Sequence, residues 1–220
     1  MILRPELLVA VVGTGTEVGK TWVTAAVATR LRADGVVVRA RKPAQSFDPS
    51  DSPDERDASV LARATGEEPD EVCLPYRSYE RAMAPPMAAA ALGRERIVLD
   101  ELVGEIAWPD GTAVGFVETA GGVRAPIADD GDNVELVRRL APDVTVLVGD
   151  AGLGTINVVR LSAGAVGDVG GDLVVVLNRF DANDDLHARN RDWLYDIDGF
   201  EVVTDPDALG ARLLDTVLRR

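Results

Sequence analysis

A chain of 220 residues with 46% hydrophobic and 27% charged side chains has the composition of an ordinary globular protein and length enough for one full core, which excludes an intrinsically disordered chain. A formal net charge of -14 works against general affinity for nucleic-acid backbones, which rests on Lys and Arg neutralising phosphates. The single cysteine, Cys73, leaves no internal disulfide and no cysteine cluster for a metal. No apolar run approaches the roughly 20 residues that span a bilayer, and Met1-Ile2-Leu3-Arg4-Pro5-Glu6 lacks the basic-then-apolar order of a secretion signal, so a cytoplasmic protein is expected.

The first predicted strand, Leu7 to Val12, is continuously apolar, as a strand covered on both faces of a parallel sheet must be. A helix is expected from Thr21 to about Asp34, stopped by Gly35. Val36 to Arg41 reads as a second strand ending at Lys42-Pro43, where proline cannot donate to a ladder. The Asp-, Ser- and Pro-rich segment Gln45 to Arg56 reads as a surface loop, and Asp57 to Thr65 as a helix ending before Gly66. Residues 66–82 carry no clear period, whereas Met87 to Leu92 and Leu99 to Ile106 have helical spacing.

Val114 to Glu118 is the next strand and Thr119-Ala120-Gly121-Gly122 its turn. Asn133 is placed to cap a helix running to Leu140, followed by a strand at Val144 to Val148. The glycine-rich loop Gly149 to Thr155 leads into a helix from Ile156 to Val166, and the strand Leu173 to Leu177 ends at Asn178-Arg179. A polar helix from Asp185 to Leu194, a strand at Glu201 to Val203 and a helix from Asp207 to Leu218 complete the order. This alternation predicts an α/β fold, a doubly wound and mainly parallel sheet in one domain over residues 1–220. Ligands of such sheets sit beyond the carboxyl ends of the strands. There the chain places Gly13 to Thr21, Lys42 to Ser46, Glu118 to Gly122, Gly149 to Thr155, and Asn178 with Arg179.

Gly13-Thr14-Gly15-Thr16-Glu17-Val18-Gly19-Lys20-Thr21, between a buried strand and a helix, is a P-loop: backbone N–H groups and the helix N-terminus face an anion, the lysine adds a charge, and the threonine hydroxyl offers a ligand to Mg²⁺. It is a variant, because Thr14 stands six residues before Lys20 where the strict pattern has Gly. Of 23 basic residues only Lys20 and Lys42 are lysines, both just after predicted strands, where a compact ammonium differs most from a planar guanidinium. Triphosphate chemistry also needs carboxylates for a divalent ion, and Glu118 at a strand end and Asp57 at a helix start are the candidates. Asn178-Arg179-Phe180-Asp181 has a loose likeness to the base-reading Asn-Lys-x-Asp of GTPases. His187, the single histidine, falls in the polar helix and reads as a surface residue; Trp22, Trp108 and Trp193 read as packing residues.

These residues, with Lys42-Pro43-Ala44-Gln45-Ser46, Glu118-Thr119-Ala120-Gly121-Gly122, Pro126 and Gly152-Leu153-Gly154-Thr155-Ile156-Asn157, resemble the dethiobiotin synthetase family in identity and order over residues 5–180. The resemblance implies P-loop NTPase topology and an ATP- and Mg²⁺-dependent ligase that closes the ureido ring of dethiobiotin from 7,8-diaminopelargonic acid and CO₂. In that family one amine becomes a carbamate, its oxygen takes the γ-phosphoryl group, and the second amine displaces phosphate. Carried over by position, Lys20 and Lys42 would be the catalytic lysines, and Thr21, Asp57 and Glu118 would hold Mg²⁺. Glu17, Val18, Gly19, Lys20, Thr21, Trp22, Thr119, Ala120, Gly121, Asn178 and Arg179 would surround the nucleotide, with Asn178 reading adenine. Thr16, Lys42 and Ser46 would face the diamine or its carbamate. The family's homodimers imply a homodimer here.

Three positions depart from the family pattern: Thr119 and Phe47 each stand where glycine is usual, and Ala84-Pro85-Pro86-Met87 replaces a Ser-Pro-His type of sequence. A related P-loop amidoligase or carboxylase acting on another small acid stays open beside the ligase reading. So does a regulatory NTPase, although neither Thr14 nor Gly15 supplies the signature lysine of partitioning ATPases and Asp150-Ala151-Gly152-Leu153 does not make an Asp-x-x-Gly switch. A binding protein without turnover is the third reading.

Overall fold

The computed structural model describes residues 4–220, so the reading of the leader at Met1–Leu3 lies outside the described residues. In chain order the elements are β1 (Leu7–Gly13), α1 (Lys20–Ala33), β2 (Val38–Arg41), β3 (Gln45–Ser46), α2 (Asp57–Thr65), α3 (Pro69–Val72), β4 (Ser78–Tyr79), α4 (Pro85–Ala91) and α5 (Leu99–Glu105). They continue with β5 (Val114–Glu118), β6 (Pro126–Ala128), β7 (Gly131–Asp132), α6 (Asn133–Leu140), β8 (Val144–Asp150), α7 (Thr155–Val166), β9 (Asp172–Asn178), α8 (Asp185–Asp192), β10 (Glu201–Val203) and α9 (Pro206–Leu218). Six strands form one parallel sheet in the order β10-β9-β8-β1-β5-β2. The sequence reverses direction of winding on either side of β1, so the loops after β1, β5 and β8 meet at the switch point of a doubly wound sheet.

The uninterrupted apolar run of β1 has a direct cause. Leu7, Val9 and Val11 point to one face and join Val23, Val27 and Leu31 of α1, Leu61 of α2 and Leu209 and Leu213 of α9. Ala10 and Val12 point to the other face, toward Val134 and Val137 of α6 and Val159 and Ala163 of α7, while Leu8 joins Leu99 and Leu102 of α5. A strand with period-two side chains and a helical layer on each face can have no polar position. The strand therefore anchors both layers, and the loop at its end inherits their rigidity.

Most expected boundaries agree within two residues, and α2, β5 and β10 agree fully. Four differences have physical reasons. The segment 45–56 is not wholly surface loop: Gln45 and Phe47 are buried, Gln45 Oε1 accepts from Ala58 N (3.0 Å) at the start of α2, and its Nε2 donates to Ser78 Oγ (2.8 Å). Residues 66–82 contain α3, a 3-10 turn at 75–77, and β4, which pairs with β3. The cap of α6 is Asp132, whose carboxylate accepts from Glu135 N (3.0 Å), and not Asn133. Asn133 is buried and donates instead to Ala120 O (2.6 Å) and Gly122 O (2.8 Å), holding the turn after β5. Of the three tryptophans only Trp108 is a packing residue; Trp22 and Trp193 are exposed. Among the described residues no helix is long and apolar enough to cross a membrane.

Candidate nucleotide and substrate site

The loop Gly13–Lys20 joins β1 to α1 without a side-chain cap on the helix: Gly19, at φ 92°, precedes Lys20, and the first N–H groups of α1 have no side-chain acceptor. That is the open helix N-terminus which favours anions. Glu17 takes the same left-handed region at φ 59°, a conformation that costs a side-chain-bearing residue about 1–2 kcal/mol. It is held there from the next loop but two. Arg179, after β9, donates through Nη2 to Glu17 O (2.7 Å) and pairs through Nη1 with Asp150 Oδ2 (2.7 Å), while Asn178 Nδ2 donates to Val18 O (2.9 Å).

Thr14, where the strict phosphate-loop pattern has glycine, has a packing explanation. A Cβ on Gly149, at the end of β8, would lie 3.2 Å from Thr14 Cγ2, so the threonine methyl occupies space that a glycine on the neighbouring strand leaves free. Gly122 makes a similar allowance, since its Cβ would meet Gly15 Cα and Thr14 O at 3.4 Å.

Next to this loop lies a cluster of buried charge. Thr21 Oγ1 is 2.7 Å from both Asp57 Oδ1 and Glu118 Oε1. Lys42 Nζ is 2.6 Å from Asp57 Oδ2 and 2.8 Å from Glu118 Oε1, and donates to Thr119 O (3.2 Å). Thr24, one helical turn beyond Lys20, reaches Glu118 Oε2 at 2.9 Å. Glu118 and Lys42 are almost fully buried, at 0% and 2% exposure, so the pair is stable only because the ammonium has three acceptors and both carboxylate oxygens have partners. Burial alone would lower the Lys42 pKa, but Asp57 and Glu118 outweigh it and raise it, so the ammonium stays charged. The same balance runs in Asp57, where burial pushes the carboxyl up and Lys42 holds it below its ordinary value. Lys20, which reaches back to Gly15 O (3.2 Å), has only distant acids to offset burial and the charge of Lys42, and its pKa falls to about 8.

The cluster and the loop open on one cavity of about 680 Å³. Thr16, Glu17, Gly19, Lys20, Thr21, Lys42, Ser46, Asp57, Ala120 and Gly121 of the expected site line it. Val18, Trp22, Asn178 and Arg179 lie outside its lining; Asn178 and Arg179 act on the loop from behind. Glu118 lies beneath the cavity, visible to it only through Thr21, Asp57 and Lys42. Thr119 is fully buried and turned away, its hydroxyl donating to Val11 O (3.1 Å), so the side chain that replaces glycine does not enter the cavity. Ser46 is at the wall with its hydroxyl donated to Met83 O. Phe47 is part of that wall, backed by the Arg56 guanidinium 3.8 Å from the ring centre.

Sequence reasoning missed Thr24, Asp48, Asp51, Ala82, Met83 and Ala125. Thr24 had a signal, the four-residue step from Lys20 along one helix face. The others come from segments without periodicity, brought to the cavity by the β3–β4 pairing and by the turn after β5. Among the described residues no group of three His, Cys, Asp or Glu side chains is arranged for a metal ion; the oxygen set here is two carboxylates and a hydroxyl.

A parallel sheet with a glycine-capped phosphate loop at its switch point, a lysine in that loop and two acids behind the first helical threonine define a P-loop nucleotide-binding protein. The backbone is similar to that of the cell division protein FtsY of Thermotoga maritima (TM-score 0.55, 16% identity, 97% of this chain and 70% of that one) and to chloroplast FtsY of Physcomitrella patens (TM-score 0.52, 18% identity, 96% and 65%), a likeness of fold alone. The sequence matches the AAA domain family over residues 8–205. It is 38% identical to the ATP-dependent dethiobiotin synthetase BioD of Haloferax mediterranei over 94% of this chain and 87% of the relative. The protein of the same name from Streptomyces coelicolor is 35% identical over 96% and 83%, and that of Caulobacter vibrioides 40% over 63% and 64%. The chain belongs to the ATP-dependent dethiobiotin synthetase family.

Proposed function

We propose that this protein is an ATP-dependent carbon–nitrogen ligase that closes the ureido ring of dethiobiotin from 7,8-diaminopelargonic acid and CO₂, in the biosynthesis of biotin. The observation that carries the reading is the convergence of two buried lysines on one cavity, Lys20 from the phosphate loop and Lys42 from the end of β2. A simple triphosphatase needs the first. The second supplies positive charge where a carbamate oxygen would approach the γ-phosphoryl group.

The N–H groups at the start of α1 and the Lys20 ammonium bind and orient the β- and γ-phosphates. Lys42 faces the same space and stabilises the carbamate oxygen as it attacks, an electrostatic contribution that a rigid buried charge makes without reorganisation. Thr16 and Ser46 orient the amines at the mouth of the loop, and Ala82, Ala84 and Pro85 shield the carbon chain and exclude water. Asn178, whose Nδ2 donates to Val18 O, supports the loop beneath the nucleotide from behind. Thr21, Asp57 and Glu118 fit a hard divalent cation such as Mg²⁺, being oxygens only, with a carboxylate oxygen of each acid 2.7 Å from the Thr21 hydroxyl. When bound, that ion would neutralise charge on the phosphate oxygens. We place the protein in the cytoplasm as a homodimer, and Leu153 before α7 and Leu161 on it, exposed at 91% and 68%, are apolar surface that a partner subunit would cover.

The test is phosphate release from ATP and bicarbonate with and without the diamine, alongside detection of the cyclic urea. Release that depends on the diamine and matches product one for one is expected. Release indifferent to the diamine would return the chain to the class of regulatory NTPases.

A further inference from the structure

Lys42 does more in this structure than stand near a substrate. Its ammonium bridges the same two acids as Thr21, with Nζ 2.6 Å from Asp57 Oδ2 and 2.8 Å from Glu118 Oε1. Thr21 Oγ1 reaches Asp57 Oδ1 and that same Glu118 Oε1, each at 2.7 Å. In an octahedral Mg²⁺ shell with oxygens about 2.0–2.1 Å from the ion, neighbouring oxygens lie about 2.9 Å apart. Thr21 Oγ1 thus already stands close to the spacing of an adjacent corner from each of the two carboxylate oxygens, and Glu118 Oε1 is the oxygen that the ammonium also holds. Without a counter-charge Asp57 and Glu118 would repel each other in a site with little water, a repulsion that either the ammonium or a divalent ion relieves.

We infer that Lys42 is a place-holder for the divalent cation: its ammonium keeps Asp57 and Glu118 in the spacing the ion requires and gives up those oxygens when the nucleotide-bound cation arrives, becoming free to meet the carbamate. The inference rests on the reading of Thr21, Asp57 and Glu118 as the cation's seat. It links two events that are otherwise independent, because the lysine needed by the substrate is released only once the cation is in place. A buried ammonium and a divalent ion on the same Glu118 Oε1 repel each other, and that repulsion drives the exchange.

The test uses binding and spectroscopy, not turnover. Binding of Mn²⁺ in the presence of a non-hydrolysable ATP analogue is measured by the electron paramagnetic resonance of free Mn²⁺ for the wild type, Lys42→Met and Asp57→Asn. Lys42→Met, which removes the competing charge and keeps the stem, should bind Mn²⁺ about tenfold tighter or more, whereas a lysine of merely structural importance would leave binding equal or weaker. Lys42→Met should also melt at a lower temperature in EDTA and recover with Mn²⁺ and nucleotide. Equal or weaker Mn²⁺ binding by a folded Lys42→Met protein overturns the place-holder. Unaltered binding by Asp57→Asn overturns the cation seat itself, so the two failures are distinct.

A measurement on the wild type covers the case in which Lys42→Met does not fold. The chain has two lysines, so ¹⁵Nζ-lysine labelling yields two side-chain signals. The signal of the buried, ion-paired Lys42 should shift when Mg²⁺ is added to protein already holding the analogue. A Lys42 signal that stays in place would overturn the exchange.

Discussion

Asn178 lies directly over Gly19: a Cβ built on Gly19 would fall 2.0 Å from Asn178 Nδ2, the atom that donates to Val18 O at 2.9 Å. The glycine is therefore required twice, by its φ of 92° and by the side chain at the end of β9. Gly19→Ala should weaken nucleotide binding by about tenfold or more, since the left-handed penalty alone is about 1–2 kcal/mol and the displaced Asn178 adds to it. Titration of a fluorescent ATP analogue measures this, with circular dichroism to show that the sheet persists. Retained affinity would mean that the loop tolerates a different path.

Lys42→Ala separates the chemistry from the binding. Nucleotide affinity should persist, because the phosphate cradle is built from the Gly13–Thr21 loop, while turnover should fall by about a hundredfold or more, the scale of losing one preorganised charge at a transition state. Steady-state phosphate release and equilibrium binding, measured on the same preparation, decide it. Unchanged turnover would reduce Lys42 to an internal ion pair.

Thr119→Gly restores the family's usual residue and should not improve nucleotide binding, because the Thr119 hydroxyl already faces Val11 O and not the phosphates. The expected effect is on stability, a loss of about 1–2 kcal/mol from a missing hydrogen bond and a freer backbone. Urea unfolding gives the loss; a clear fall in the KM for ATP would show that the threonine had been an obstruction.

Asp143 provides a pH-dependent term far from the site. Burial pushes its carboxyl up, but the Leu8 N–H at 2.7 Å and the Arg220 guanidinium at 2.8 Å hold it below the ordinary aspartate value. A depressed folded-state pKa means that the stabilisation is present above the unfolded value of about 3.9 and is lost as pH falls through the folded value. Unfolding free energy should thus drop below about pH 4 in the wild type, and Asp143→Asn should flatten that drop while costing about 1–2 kcal/mol at neutral pH. Denaturant curves across pH 3–7 test both.

The sheet and its helices were legible because β1, β5, β8 and β9 are apolar on both faces and because Gly35 and Gly66 follow helices whose ends they permit. The phosphate loop, the acids and the second lysine were legible as residue types at strand ends. What the sequence hid was the contact map. Gln45 looked like a loop residue because the acceptor it offers to Ala58 N lies thirteen positions away, and Asn133 looked like a cap because Asp132, one place earlier, is an equally good one. The cavity wall at Phe47 and Met83 depends on a two-residue strand pairing that no periodicity announces.

The buried carboxylate of Glu118 divides the site into two parts with different freedom to change. Below it, strand ends and α1 fix the lysines, the acids and the phosphate loop in a layer where each group is another's counter-ion, and a change to one forces changes to several. Above it, residues 46–51 and 82–85 close the cavity from connecting segments that carry little of the core. Drift in that upper wall can alter which small acid or amine is accepted while the triphosphate chemistry underneath stays the same, so a family built on this plan can change its substrates faster than its reaction.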